Sequence, residues 1–134
     1  KRPDMDYLGP DCAIVMLTPN CSVELRHPWE GGACALSYRP QKIIDSMSGG
    51  EKPNILAIGH YHKGFYMPYR NVHCVLGGCF QAQTPFLRGK TIQVAMGGWV
   101  IEALVDEEGF IQRFTPSFYQ FYVGLKDDWK NWRE

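Results

Sequence analysis

The stretch from Asn54 to His62 constrains the fold of this chain more than any other part of the sequence. It begins with a short apolar run over residues 55–58 that ends at Gly59, a pattern that predicts a buried β-strand. His60 and His62 follow the glycine. Residues two apart on an extended backbone project to the same side, so we expect both imidazoles to share a face, where they are well placed to bind a metal ion. The alternative is a pair of ordinary polar residues in a loop.

A further histidine, His27, stands at the end of a second predicted strand, residues 22–26. Pro28 biases His27 towards an extended backbone. Residues 41–47 have the spacing of an amphipathic helix, and Pro40 suits its first turn. Residues 22–59 therefore predict a strand–helix–strand unit with parallel strands.

Both strands of this unit end at histidines. Sites in open α/β sheets gather at the carboxyl ends of the strands. We therefore expect His27, His60 and His62 to converge on a metal ion.

The remainder of the chain is mostly β-structure after residue 63. Residues 12–17 also predict a strand, and residues 126–134 a helix. The pattern of apolar and turn residues predicts the later strands at residues 64–69, 72–76, 91–96, 98–105 and 109–115. Without repeats or linkers, the chain is expected to be one α/β domain or part of one.

Composition excludes several classes of protein. The chain has 134 residues, of which 45% are hydrophobic, and its formal net charge is zero. Nothing in the overall charge favours nucleic acid or an anionic membrane as a partner. The sequence contains no apolar run long enough for a membrane span. The five cysteines form no C-x-x-C pair, which favours free thiols and a cytoplasmic location.

The strand-Gly-His-x-His sequence, preceded by a lone strand-end histidine, resembles the last two motifs of the calcineurin-like metallophosphoesterases. The resemblance covers about residues 5–122. It implies a four-layer α/β/β/α sandwich with two metal ions between packed sheets. Residues 81–86, Gln-Ala-Gln-Thr-Pro-Phe, are also similar to a stretch in the small, exonuclease subunit of archaeal D-family DNA polymerases.

The D-x-H, G-D-x-x-D and G-N-H motifs of that family are absent. Asp4 and Asp6 are not expected to replace them, because they lie at the very start without a preceding strand. The resemblance therefore implies that residues 1–134 are the C-terminal half of a metallophosphoesterase domain, without its catalytic acid and aspartate ligands. We expect this fragment to be inactive alone, to bind at most one metal weakly, and to self-associate or pair with the missing half.

The family's roles can be carried over residue by residue. His27 and His60 match ligands of the second metal, and His62 matches a ligand of the first. The two divalent ions (Mn, Fe, Zn or Ni) would generate a hydroxide that attacks a phosphoester, including nucleic acid or nucleotide substrates. Three cations are candidates for binding phosphate: Arg70, Arg88 and Lys90.

Two other classes of protein stay open. One is a non-catalytic subunit or binding module that has kept the metallophosphoesterase fold. The other is a structural domain with one zinc ion, in which Cys34 or Cys79 joins the three histidines. His73, inside a predicted strand and without a motif partner, is expected to be structural.

Overall fold

The computed structural model describes residues 2–121, which have a mixed α/β structure dominated by strands. The elements in chain order are β1 (Cys12–Thr18), β2 (Cys21–Arg26), α1 (Tyr38–Ser46), β3 (Ile55–Ile58), β4 (Gly64–Tyr69), β5 (Val72–Gly77), α2 (Pro85–Gly89), β6 (Gly97–Val105) and β7 (Ile111–Gln120). The expected α/β class is confirmed at this level. No helix within residues 2–121 has the length and apolar character that a bilayer crossing requires.

Strands β1 to β5 form one sheet in the order β1-β2-β3-β5-β4. β2, β3 and β5 run parallel, so the predicted strand–helix–strand unit is present as β2-α1-β3. β1 and β4 are antiparallel to their neighbours and are the outermost strands of the sheet. The register aligns Arg26 with Ile58 and Ile58 with Leu76, which brings the carboxyl ends of the three parallel strands to the same edge of the sheet.

Helix α1 covers one face of this sheet. Its apolar residues Ile43 and Ile44 pack against alternate residues of β3 and β5, which are Leu56, Ile58, Val72, Cys74 and Leu76. Alternation places these strand residues on one face. Burial raises the pKa of the Cys74 thiol to about 12, so this cysteine stays protonated at neutral pH and serves as a small apolar core residue.

The β6–β7 hairpin packs on the opposite face. The ring of Phe114 stacks on His73 with 4.2 Å between ring centres, and the Tyr66 hydroxyl and His73 Nδ1 are 2.9 Å apart. The Trp99 indole donates a hydrogen bond of 2.8 Å to the Leu76 carbonyl. His73 therefore joins the two layers, in agreement with the structural role expected for it.

Burial lowers the pKa of His73. A histidine whose pKa is lower in the folded state contributes its full stability above the unfolded pKa of about 6.5. That contribution is lost as the pH falls from there through the folded pKa. We expect the Tm of the wild type to fall more steeply below about pH 6.5 than that of His73→Phe, which keeps a ring against Phe114.

Thermal melts at a series of pH values compare the two proteins, with Tyr66→Phe as a control that removes the hydroxyl and keeps the imidazole. If the Tm of the wild type and that of His73→Phe fell in parallel as the pH was lowered, the pH dependence would not come from His73.

Some predicted elements differ from the structure. Residues 5–9, which resemble a strand in sequence, and residues 91–96 form no strand, although Met96 makes a single bridge to Cys79. The backbone amide of Ala95 donates instead to the His62 carbonyl, and that of Ile92 to Leu87, so this segment is held by loops. The last strand is longer than predicted and ends at Gln120. The helix predicted at 126–134 lies outside the described residues.

Candidate metal centre

Backbone hydrogen bonds hold the residues that follow β2 and β3 in place. The Gly59 amide donates to the Arg26 carbonyl at 2.9 Å, and the His27 amide donates to the Asp11 carbonyl at 2.8 Å. A Cβ atom on Gly59 would lie 3.4 Å from the imidazole carbon Cδ2 of His27. The His27 ring therefore lies in van der Waals reach of the residue that follows β3.

The structure brings His27 and His60 together. Their ring centres are 5.0 Å apart and the rings are inclined by 72°. With metal–nitrogen distances of about 2.0–2.1 Å and a tetrahedral angle, two imidazoles on one ion have ring centres about 5 Å apart. The spacing of this pair is that of an edge-to-face ring contact and is also compatible with two ligands of a single metal ion. Both residues are exposed, so an ion can reach them from solvent.

The backbone around His60 is not extended, which corrects the argument that His60 and His62 share a strand face. The strand ends at Ile58, and the Tyr61 amide donates to the Gly59 carbonyl at 2.9 Å, which closes a γ-turn centred on His60. His60 has φ +74° and His62 has φ +55°. Left-handed conformations cost non-glycine residues about 1–2 kcal/mol each, and such strain concentrates at functional sites.

His62 is half-buried, and its carbonyl accepts a hydrogen bond of 2.8 Å from the Ala95 amide. Within residues 2–121, no three histidine, cysteine or acidic side chains are grouped closely enough to hold a metal ion. The structure therefore unites two of the three predicted ligands and does not form a group of three with His62.

His27 lines two adjoining clefts of about 460 and about 430 Å³. Asp11 lines both, and its carboxylate accepts a hydrogen bond of 3.1 Å from the Trp29 indole. Asp6 lines the larger cleft. Asp6 was not expected to be a metal ligand because no predicted strand precedes it, and Asp11 belongs to no motif. Both precede β1, which pairs with the strand that ends before His27.

The three predicted phosphate-binding cations lie in different places. Arg70 occupies the tight β4–β5 turn, at the amino end of β5 and so at the end of the sheet opposite the histidines. Its guanidinium pairs there with Asp45 at 3.2 Å. The structure does not bring it to the histidines. Arg88 lies in α2, and Lys90 follows α2 with its ammonium 4.5 Å from the centre of the Phe86 ring.

The loop that carries α2 is tied to the histidine segment at both ends. The Gly78 amide donates to the Lys63 carbonyl, and the Ala95 amide donates to the His62 carbonyl. The Lys63 ammonium also donates to the Gln93 carbonyl at 2.6 Å. Arg88 and Lys90 therefore belong to the loop that leaves the same edge of the sheet as the histidines.

The two cysteines proposed as zinc ligands are both free thiols. Cys34 is exposed, and the Cys79 thiol donates to the Gln81 carbonyl at 3.2 Å. Neither joins the histidines in a group of three ligands within the described part of the chain.

Comparisons with known proteins add a distant structural likeness. No protein-family profile and no curated protein sequence matches the chain. A Thermotoga maritima protein solved by solution NMR is similar, with a TM-score of 0.42 and 14% sequence identity. The alignment covers 82% of this chain and 54% of that structure, so the chain spans about half the length of the protein it matches.

Proposed function

We propose that this chain supplies part of the metal centre of a metal-dependent phosphoesterase of the calcineurin-like type. The observation that carries the proposal is the His27–His60 pair, whose ring centres lie 5.0 Å apart at the carboxyl ends of parallel strands. Neutral imidazoles are good ligands for Mn, Fe, Zn and Ni. In the proposal these two histidines bind one ion, and His62 binds a second when the centre is complete.

A two-metal centre supplies a hydroxide at neutral pH and polarises the phosphoryl group. Imidazoles alone do not offset the repulsion between two divalent ions about 3.5–4 Å apart. The centre therefore needs carboxylates that are not grouped with the histidines within residues 2–121. We propose that another polypeptide segment supplies them and completes the four-layer sandwich.

The exposure of β1 supports a further segment at this position. β1 is an edge strand, and its residues Ile14, Val15, Met16 and Leu17 are between 36% and 62% exposed. Consecutive strand residues point to opposite faces, so both faces of β1 are uncovered. A long apolar edge strand promotes association with other chains, and in this proposal the completing segment, or a second copy of the chain, covers it.

The proposed substrate is a phosphoester, with nucleotides and nucleic acids among the candidates. Arg88 and Lys90 belong to the loop at the histidine edge and are proposed to position the phosphate. Arg70 lies at the opposite edge, and we no longer assign it that role. The five cysteines are all free thiols, which supports the proposed cytoplasmic location.

Two histidines without carboxylates do not build a working two-metal centre, so we expect the 134-residue chain to show no turnover above the metal-ion blank. The assay is hydrolysis of bis-p-nitrophenyl phosphate with Mn²⁺, Ni²⁺ or Zn²⁺. His27→Ala/His60→Ala is the control for contaminating phosphatases. Turnover at ordinary enzyme rates, about 1 s⁻¹ or more, that is lost in the double variant would contradict the incomplete centre.

A non-catalytic binding module is a second candidate, because no third ligand joins the pair within residues 2–121. The two candidates differ in metal binding. A phosphoesterase part binds a transition metal through His27 and His60, whereas a module that has lost the chemistry binds none there.

A further inference from the structure

A separate cleft lies at the end of the sheet opposite the histidines. Its volume is about 560 Å³, within the range of about 300–1,000 Å³ that small-molecule sites occupy. Asn54 and Asn71, which directly precede β3 and β5, line it together with Phe110 of the β6–β7 turn. Because β3 and β5 run parallel, the cleft lies at their amino ends, beside the hairpin turn.

Hydrogen bonds between the sheet and the hairpin hold the walls of this cleft. The Asn54 side chain accepts a bond of 2.9 Å from the Ser22 amide and donates one of 3.1 Å to the Gly109 carbonyl. The Asp106 carboxylate accepts a bond of 2.8 Å from the Phe110 amide, and the Asp106 amide donates to the Phe110 carbonyl at 3.0 Å. The turn is thus fixed against the start of β3. A cleft whose walls are already in place lowers the entropic cost of binding.

The charged side chains that line the cleft are basic. Lys52 and Arg70 line it, and no carboxylate within residues 2–121 does. Lys52 is half-buried, and its ammonium has no hydrogen-bond or ion-pair partner in that part of the chain. Arg70 contacts Asp45 through Nε, and a guanidinium has further N–H donors for a ligand. The charge of the lining therefore favours an anion.

Phe110 adds an aromatic ring to the same cleft. It is 62% exposed, although both its amide and its carbonyl are held by Asp106. Water solvates lysine and arginine well, but an exposed phenyl ring gains nothing from water. An aromatic ring beside basic side chains is the combination that binds a base by stacking and its phosphate by charge.

We propose that this cleft binds a nucleoside monophosphate, with its phosphate on Lys52 and Arg70 and its base against the ring of Phe110. Inorganic phosphate would leave the ring exposed, and an uncharged nucleoside would leave the cations without an acceptor. The site uses neither His27 nor His60, so it does not rest on the proposed phosphoesterase function.

Isothermal titration of the chelator-treated 134-residue chain with adenosine monophosphate (AMP) tests the site. We expect saturable binding, at least about tenfold tighter than that of ribose 5-phosphate or inorganic phosphate, because only AMP stacks on the ring. A trinucleotide with a 5′-phosphate shows whether the nucleotide is taken free or at the end of a strand. The absence of saturable AMP binding, or phosphate binding as tight as that of AMP, would overturn the proposal.

Substitutions in the cleft locate the bound nucleotide. Lys52→Gln, Arg70→Asn and Phe110→Ala are each expected to weaken AMP binding by about tenfold. Arg70 has φ +48°, a conformation that asparagine adopts more readily than most residues, so Arg70→Asn removes the charge without opposing the turn. Circular dichroism checks that each variant is folded.

Lys42→Gln and Tyr119→Ala are the matched controls, because both residues are exposed and lie outside the cleft. They are expected to keep the wild-type affinity for AMP, and so is His27→Ala/His60→Ala. If the three cleft variants bind AMP as tightly as the wild type, or if the double histidine variant loses AMP binding, the nucleotide binds elsewhere and the proposal is wrong.

Discussion

His27→Ala and His60→Ala are each expected to weaken the binding of Zn²⁺ to this chain by more than about 100-fold. The loss of an outer-shell partner alone typically costs 10–100-fold, and each substitution removes one of the two proposed ligands that lie together within residues 2–121. Isothermal titration with Zn²⁺, or the absorption spectrum of bound Co²⁺, measures the affinity.

His73→Phe is the matched control for this experiment. The His73 imidazole stacks on Phe114 of the β6–β7 hairpin and is not part of the His27–His60 pair. It is expected to keep the wild-type affinity. If either His27→Ala or His60→Ala binds Zn²⁺ as tightly as the wild type, the two histidines do not share an ion. His62→Ala is expected to have a smaller effect on the chain alone, because His62 forms no group of three ligands with them within residues 2–121.

Ile44→Ala is expected to destabilise the fold by about 2–5 kcal/mol, the usual cost of truncating a buried isoleucine. The Ile44 side chain is fully buried and joins α1 to the core residues of β3 and β5. Truncation removes apolar contacts and leaves a cavity that the surrounding structure fills only in part. Urea denaturation followed by circular dichroism gives the free energy of unfolding.

Ile14→Ala provides the matched control, because Ile14 is 62% exposed in β1. The same chemical change there is expected to cost less than about 0.5 kcal/mol. Equal losses for the two variants would mean that α1 does not form the described core. The contrast matters for function, since α1 connects the two strands whose ends carry His27 and His60.

The part of the structure that local pattern determines was predictable. The apolar run before Gly59 and the helical spacing of residues 41–47 were enough to predict the parallel unit β2-α1-β3. The rule that parallel strands end at a common edge then predicted that His27 and His60 meet, and their rings are in contact.

The conformation of the histidine turn was not predictable in the same way. The sequence predicted an extended backbone at His60 and His62, but both residues have positive φ. No local sequence pattern predicts positive φ at a histidine. This strain is maintained by hydrogen bonds from distant segments, such as that of the Ala95 amide to the His62 carbonyl. Residues 91–96 were predicted to form a strand. They do not, because backbone amides of this segment, such as that of Ala95, bond to loop carbonyls instead of to a neighbouring strand.

Arg70, Arg88 and Lys90 were predicted to bind phosphate from their charge alone. Charge does not specify which edge of a sheet a turn occupies, and the β4–β5 turn that carries Arg70 lies at the far edge, where the arginine pairs with Asp45. The sequence does not indicate that Asp6 and Asp11 lie at the His27 clefts. Their approach to the His27 clefts depends on the path of the chain before β1, which contains no regular structure.

A Zn²⁺ titration followed by NMR of the histidine ring nitrogens tests directly whether His27 and His60 bind one ion. We predict that the signals of His27 and His60 shift together and saturate at the same metal-to-protein ratio, while those of His73 stay in place. A titration in which only one of the pair responds, or in which neither does, would show that the two imidazoles do not share a metal ion.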